Sequence, residues 1–192
     1  MPTANHRRTP VSDLPSLRTQ RLTLRLPDPG EAQAVLDYIH RNRDFHRDSD
    51  PMRPGTYTTV GFWERQLTMN REEALVGRSF RFFLFQGTDI VGVANLSFIR
   101  RGAMQAASLG YALDKDAEGK GLMAEALQAV IAFAFDDLGL HRIEADHLPE
   151  NERSAKVLAR LGFRIEGYAE RFLLMRDGQW HDHVRTALVR TP

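Results

Sequence analysis

The stretch Gly119-Lys120-Gly121-Leu122-Met123-Ala124 lies between a predicted strand and a long predicted helix. Glycine allows positive φ angles and lets a ligand approach the main chain closely. The free N–H groups at the start of a helix, together with the helix dipole, favour an anion such as pyrophosphate. A flexible strand–helix connection would use the same two glycines, so the pattern alone leaves both interpretations open.

Hydrophobic periodicity on both sides of this glycine loop (residues 119–124) indicates a mixed sheet. Before the loop it predicts a strand over 21–26, helices after Asp28-Pro29 and over 60–76, and strands over 80–86, 90–99 and 106–113. After the loop it predicts a helix over 121–138, a strand over 142–148, a short helix over 152–161, and strands over 163–174 and 180–189. The order β-α-α-β-β-β-α-β-α-β-β predicts an α/β fold with a mostly antiparallel sheet, flanking helices and one βαβ crossover. Residues 44–59 form a long predicted loop, and long loops are often functional.

Length and composition limit the classes of protein that fit. The 192 residues suffice for one domain, predicted over 17–192, after a flexible tail over 1–16 that is rich in proline and polar residues. The net charge of +1 provides no overall field for DNA or a membrane surface. The absence of cysteine excludes disulfides, a thiol nucleophile and thiolate metal sites. Because no signal or membrane-spanning stretch is evident, a cytoplasmic protein is expected.

The glycine loop also satisfies the dinucleotide fingerprint G-x-G-x-x-A. Three features argue against that use. Residues 114–118 separate the loop from its strand, three apparently antiparallel strands come first, and the remaining chain is too short for a complete dinucleotide domain. Glu144 lies at about the right spacing for a ribose partner, but within a predicted strand rather than at its end. Dinucleotide binding is therefore the second interpretation.

Motifs throughout the chain resemble the GNAT acetyltransferases, whose pyrophosphate loop has the form Q/R-x-x-G-x-G/A between the fourth strand and a long helix. The nearest branch is the bacterial ribosomal-protein alanine N-acetyltransferases of the RimJ/RimL type, with the RimJ members nearer, from about Leu17 to the C-terminus. The segments that carry the resemblance are Gly92-Val-Ala-Asn95, Leu109-Gly-Tyr111, Gly119-Lys-Gly-Leu-Met-x-Glu-Ala-Leu127, His141-Arg-Ile143, Pro149-x-Asn151-x-x-Ser154, Leu158-Ala-Arg-Leu-Gly-Phe163, Glu166-Gly-Tyr-Ala169 and Asp177-Gly-Gln-Trp-x-Asp-His-Val184.

The resemblance implies transfer of an acetyl group from acetyl-CoA to the N-terminal alanine of a protein, small-subunit ribosomal protein five, by direct attack in a ternary complex. It implies no metal, and a monomer or weak homodimer. Acetylation of a small amine or an antibiotic is one alternative, and a catalytically weak, ribosome-associated binding module is another. The expected cofactor-binding residues are Tyr111, Leu113, Gly119, Lys120, Gly121, Leu122, Met123 and Asn151.

Two acids depart from the family pattern at the glycine loop. Asp116 stands where the family motif begins with Gln or Arg, and Glu118 precedes the first glycine. Negative charges near a pyrophosphate are unfavourable, although Lys120 supplies a positive charge and main-chain N–H groups do the binding. We therefore expect the two acids to weaken the affinity for acetyl-CoA at most, and not to prevent its binding.

Ser154 is the expected general acid, because a hydroxyl can donate a proton to the departing thiolate. Asn151 and Ser154 also precede a helix, where both residue types are favoured caps, so capping remains an alternative. The general base is not identified. An α-amine has a pKa near ~7.7–8.0, so a sizeable fraction is already neutral at pH 7. The positions weighed for a base are Ser108, Leu173, Glu166 and Glu170.

Overall fold

A computed structural model describes residues 13–190 and contains one eight-stranded sheet in the order β1-β2-β3-β4-β5-β6-β8-β7. Among these strands, β5 and β6 pair in parallel and every other neighbouring pair is antiparallel. The predicted α/β fold, with a mostly antiparallel sheet and one βαβ crossover, is confirmed. The strands are β1 Ser16–Arg18, β2 Thr23–Arg25, β3 Phe80–Gln86, β4 Asp89–Arg100, β5 Ala106–Leu113, β6 Arg142–His147, β7 Arg164–Leu174 and β8 Trp180–Val189.

Within residues 13–190, four α-helices flank the sheet: α1 Ala32–Asn42, α2 Val60–Leu75, α3 Leu122–Ala132 and α4 Glu152–Arg160. The predicted continuous helix over 121–138 is α-helical only to Ala132, after which Phe133–Asp137 form a π-helical turn. There the N–H of Leu138 donates to the carbonyl of Phe133 at 3.0 Å. Within the described part of the chain, none of the helices has the length and apolar character needed to cross a membrane.

Strand β1 was not predicted from the sequence. Its three residues pair antiparallel with β2, and Leu17 packs against the core. Three residues are too few to display an alternation of polar and apolar side chains. The predicted tail over 1–16 lies largely outside the described residues, but its last residue, Ser16, begins β1.

The apolar run of β3 explains how two layers of helices form. Phe80 and Phe82 face α3, and Phe133 packs edge-on against them with ring centroids 5.0 and 5.6 Å away. Phe83 and Phe85 point to the opposite face and pack in a second cluster with residues of α1 and α2. A strand that is buried on both faces needs apolar side chains at successive positions rather than at alternate ones.

The middle of the sheet opens at the carboxyl ends of β5 and β6. These strands pair only from Ala106 to Ser108 and from Arg142 to Glu144, while β5 continues to Leu113 and β6 to His147. Because the two strands are parallel, the segments that follow them leave from the same edge of the sheet. The glycine loop and the start of α4 therefore lie on either side of this opening.

Candidate functional site

The glycine loop adopts a backbone that other residues rarely adopt. Gly119 has a φ of +72° and Gly121 a φ of +74°. A Cβ atom added to Gly119 would meet no protein atom within 4 Å, and one added to Gly121 would meet only Arg21, at 3.7 Å. The positive φ angles, rather than crowding by the protein, therefore require glycine here, and space remains open beside the main chain.

The backbone N–H groups of the glycine loop are free of hydrogen bonds to the part of the chain that the structure describes. From Gly119 to Ala124 they donate no hydrogen bond to any atom within residues 13–190, and no side chain caps α3. The first helical bond runs from the N–H of Glu125 to the carbonyl of Gly121, at 3.1 Å. Orphan N–H groups at the positive end of a helix form a site for an anion. Leu122 and Met123 bury their side chains in the core, so only their main chain can serve such a site.

Arg21, in the turn between β1 and β2, holds the glycine loop in place through hydrogen bonds to the loop and to α3. Its Nη1 donates to the carbonyl of Lys120 at 2.8 Å, and its Nε donates to Glu125 Oε2 at 2.7 Å. Thr19 Oγ1 donates to Glu125 Oε1 at 2.6 Å. The hydrogen bond from Thr19, with those from Arg21, holds the pKa of the Glu125 carboxyl below its usual range. No local pattern around Arg21 indicated this role, because its partners lie far along the chain.

Asp114 anchors the segment that leads from β5 to the glycine loop. Its buried carboxylate accepts from Arg41 Nε at 2.7 Å, Asn42 Nδ2 at 3.1 Å and the N–H of Asp116 at 3.0 Å. Burial by itself would raise the pKa of Asp114, but the hydrogen bonds outweigh it and the pKa is lowered. The approach to the glycine loop is thus held rigidly against α1.

Glu118 and Asp116, the two acids that depart from the family pattern, are in contact with different basic residues. Arg153, in the first turn of α4, forms an ion pair of 2.5 Å with Glu118, so this carboxylate is partly neutralised. Lys120 Nζ donates to the carbonyl of Asp116 at 2.7 Å, which keeps an ammonium group beside the glycine loop. The Arg153–Glu118 pair also joins the glycine loop to α4, a link that the sequence analysis missed.

Tyr111 and Ser154 meet across the opening between β5 and α4. Tyr111 OH and Ser154 Oγ lie 2.7 Å apart, and either oxygen could be the donor. Burial raises the pKa of Tyr111 to about 12, and the hydrogen bond with Ser154 lowers it only in part. The phenol therefore keeps its proton at neutral pH, and the two hydroxyls form a short chain that can move a proton.

Asn151 caps α4. Its Oδ1 accepts from the N–H of Ser154 at 3.0 Å, so the capping interpretation is confirmed for Asn151. It is wrong for the Ser154 hydroxyl, which bonds Tyr111 instead. Asn151 Nδ2 donates no hydrogen bond to the rest of the described chain, which leaves the amide NH₂ group free at the edge of the opening.

Within the described chain, the remaining predicted positions do not contact the Tyr111–Ser154 pair through a hydrogen bond or an ion pair. The carbonyl of Leu113 is bonded by His46 Nε2 at 2.8 Å. Arg142 pairs with both oxygens of Glu166, and this hydrogen bonding lowers the pKa of the Glu166 carboxyl. Within the described chain, no hydrogen bond or ion pair joins any of the four positions weighed as a base to Tyr111 or Ser154; these positions are Ser108, Glu166, Glu170 and Leu173.

Comparison with known proteins agrees with this geometry. The family described as Acetyltransferase (GNAT) domain matches residues 21–164. The chain is 42% identical to the [Ribosomal protein uS5]-alanine N-acetyltransferase of Escherichia coli (strain K12), over 93% of each chain. A ribosomal-protein-S5-alanine acetyltransferase structure from Vibrio fischeri is 33% identical, with a TM-score of 0.86 over 91% of this chain and 96% of that one.

A structure of Mycobacterium smegmatis RimJ in complex with CoA-disulfide is 30% identical, with a TM-score of 0.83 over 92% of this chain and 86% of that one. The predicted resemblance to the RimJ/RimL branch is confirmed by these relatives, and the dinucleotide-binding interpretation is set aside. The matching family domain covers most of the chain, and the relatives share both its sequence and its fold. The chain therefore belongs to the GNAT family of acetyltransferases.

Proposed function

We propose that this protein transfers the acetyl group of acetyl-CoA to the α-amine of an N-terminal alanine, with ribosomal protein uS5 as its substrate in the cytoplasm. The observation that carries the proposal is the 42% identity over 93% of both chains to the Escherichia coli enzyme of that name. The match extends over nearly the full length of both chains, and its identity is well above that of proteins that share only a fold. That distinguishes this proposal from one based on the fold alone.

The residues around the opening fit acetyl-CoA as the donor substrate. The unpartnered N–H groups from Gly119 to Ala124 would receive the pyrophosphate, with the Lys120 ammonium beside them. The free amide donor of Asn151 and the side chain of Tyr111 would contact the pantetheine arm, which leads toward Ser154. Pairing of Glu118 with Arg153 reduces the repulsion expected from that acid.

Ser154 would donate the proton that the departing thiolate takes up. Its hydroxyl is held by Tyr111 OH at 2.7 Å, and the phenol stays protonated because burial raises the pKa of Tyr111 to about 12. The Tyr111 proton could therefore replace the one that Ser154 gives away. Positioned proton donors of this kind contribute roughly 10²–10⁴-fold to a rate.

Acetyl transfer to matched peptides tests the proposed function. One peptide begins with alanine, and its control is blocked at the N-terminus but carries an internal lysine; a polyamine and an aminoglycoside represent small amines. We expect acetylation of the alanine α-amine, located by fragmentation mass spectrometry, and a rate that rises toward the α-amine pKa of ~7.7–8.0. Preferential modification of lysine or of a small amine would contradict the proposal.

A further inference from the structure

The segment between α1 and α2 crosses the mouth of the opening. It contacts β5 through His46 Nε2, which lies 2.8 Å from the carbonyl of Leu113. It contacts β7 through the N–H of Met52, which donates to the carbonyl of Leu174 at 2.9 Å. Strands β5, β6 and β7 all run in the same direction, so their carboxyl ends share one edge of the sheet. Residues 46–52 therefore run along the edge at which the glycine loop and α4 begin.

Asp50 lies in the middle of this segment, and its backbone is held on both sides. Its N–H donates to the carbonyl of His46 at 2.8 Å, and its carbonyl accepts from the N–H of Arg176 at 3.1 Å. Its half-buried carboxylate accepts no hydrogen bond and forms no ion pair with any residue from 13 to 190. By contrast, Asp114, Glu118 and Glu125 at the same edge all have charged partners.

A partly desolvated carboxylate that accepts no hydrogen bond is unfavourable unless a ligand supplies a donor in direct contact with it. Burial raises the pKa of the Asp50 carboxyl, and the nearby positive charges offset this only in part. A raised pKa makes the carboxylate a better proton acceptor near neutral pH. The titratable and charged groups that face it are His46, Arg53, Arg176, Tyr38 and Tyr57.

We propose that the Asp50 carboxylate receives the ammonium group of the acceptor N-terminus and takes up one of its protons before the amine attacks. This inference rests on the proposed acetylation of an α-amine. It assigns the base that the four predicted positions do not supply, and it places that base on the long loop over 44–59.

The proton balance is complete with groups already named. The ammonium gives one proton to Asp50, and the neutral nitrogen then forms a bond to the acetyl carbon as the carbon–sulfur bond of the thioester breaks. The nitrogen passes its second proton to the hydroxyl pair of Ser154 and Tyr111, and Ser154 gives one proton to the thiolate, so that both hydroxyls are protonated again at the end of the step. Asp50 finally releases its proton to water, so that the products are the acetylated N-terminus, CoA with its thiol protonated, and one free proton.

The test compares Asp50→Asn, Asp50→Glu and the control Asp48→Asn, an exposed acid of the same loop. With a peptide that begins with alanine, kcat/KM of Asp50→Asn should fall by about 10-fold or more at pH 7. The deficit should shrink toward pH 9, where the amine is neutral without help. Asp50→Glu should recover most of the loss, and Asp48→Asn should stay within about twofold. Calorimetry should show unchanged acetyl-CoA affinity in all three variants.

A deficit that is equal at pH 7 and pH 9 would mean that Asp50 is only structural, and would overturn the inference. So would an Asp50→Asn enzyme within twofold of the unaltered one, or an equal loss in Asp48→Asn. In those cases the unaltered enzyme still acetylates the peptide, so the proposed function stands. If the unaltered enzyme acetylates no peptide amine, the proposed function fails and the role of Asp50 fails with it.

Discussion

Helices α3 and α4 begin at the same edge of the sheet, one on each side of the opening, but their first turns differ. Helix α4 is capped by Asn151, whose Oδ1 accepts from the N–H of Ser154. Helix α3 begins at Gly121 in the left-handed region, with no side-chain cap. The free N–H groups at a helix start are satisfied by side chains, by water or by a ligand. The comparison indicates that α4 is stabilised by its own side chain, whereas α3 is left open for a bound anion.

The largest effect is expected from a substitution that blocks the open start of α3. Gly121→Glu places a bulky negative side chain at a residue with a φ of +74°, beside the unpartnered N–H groups. We expect the affinity for acetyl-CoA to fall by at least ~100-fold, or about 2.8 kcal/mol. Isothermal titration calorimetry measures the affinity, and thermal unfolding shows whether the fold persists.

Gly139→Glu is the matched control for backbone strain. Gly139 also has a positive φ, +63°, and open space around its Cβ position, but it follows the far end of the α3 segment. The control should lose stability to a similar extent and still bind acetyl-CoA. Equal losses of affinity in the two variants would mean that strain, and not a closed anion site, explains the result.

Removal of the Ser154 hydroxyl should have the next largest effect. In Ser154→Ala we expect kcat to fall by about 10-fold or more. The melting temperature should change little, because the N–H of Ser154 stays capped by Asn151. Steady-state kinetics and thermal unfolding separate the two effects.

Ser79→Ala provides the opposite case. Ser79 lies in the connection between α2 and β3, away from the opening. Its buried hydroxyl donates to the Glu73 carboxylate of α2. This variant should lose stability and keep its kcat. A Ser154→Ala protein that behaves in the same way would be evidence against Ser154 as the proton donor.

The smallest effect is expected at the capped helix. Asn151→Ala removes the cap and should lower the free energy of unfolding by ~1 kcal/mol. Asn151→Asp keeps the accepting oxygen but loses the free amide donor, so it should retain stability while binding acetyl-CoA several-fold less tightly. Chemical denaturation and calorimetry measure these two quantities. Undiminished affinity in Asn151→Asp would remove Asn151 from the acetyl-CoA site.

Features that depend on short stretches of sequence were predictable. The aromatic-rich run Phe80–Gln86 and the third strand of the meander, Ala106–Leu113, were predicted as strands at the bounds that the structure has. Glycine at positions 119 and 121 was noted as permitting positive φ angles, and both residues adopt them. Asn151 was a candidate cap because it directly precedes a helical pattern. The three-residue strand β1 was missed because its pairing with β2, and not its own pattern, makes it a strand.

The sequence by itself therefore determined the order of helices and strands from β2 onward and, through its motifs, the family. The tertiary structure alone brought Tyr111 to Ser154, 43 residues away, and Arg21 to Glu125, 104 residues away. It also left the Asp50 carboxylate, at the mouth of the opening, without a hydrogen bond or an ion pair to any of the described residues. Periodicity, φ preference and capping act over a few neighbouring residues. Contacts between distant side chains depend on which strands pair and where they separate, and no short stretch of sequence encodes that pairing.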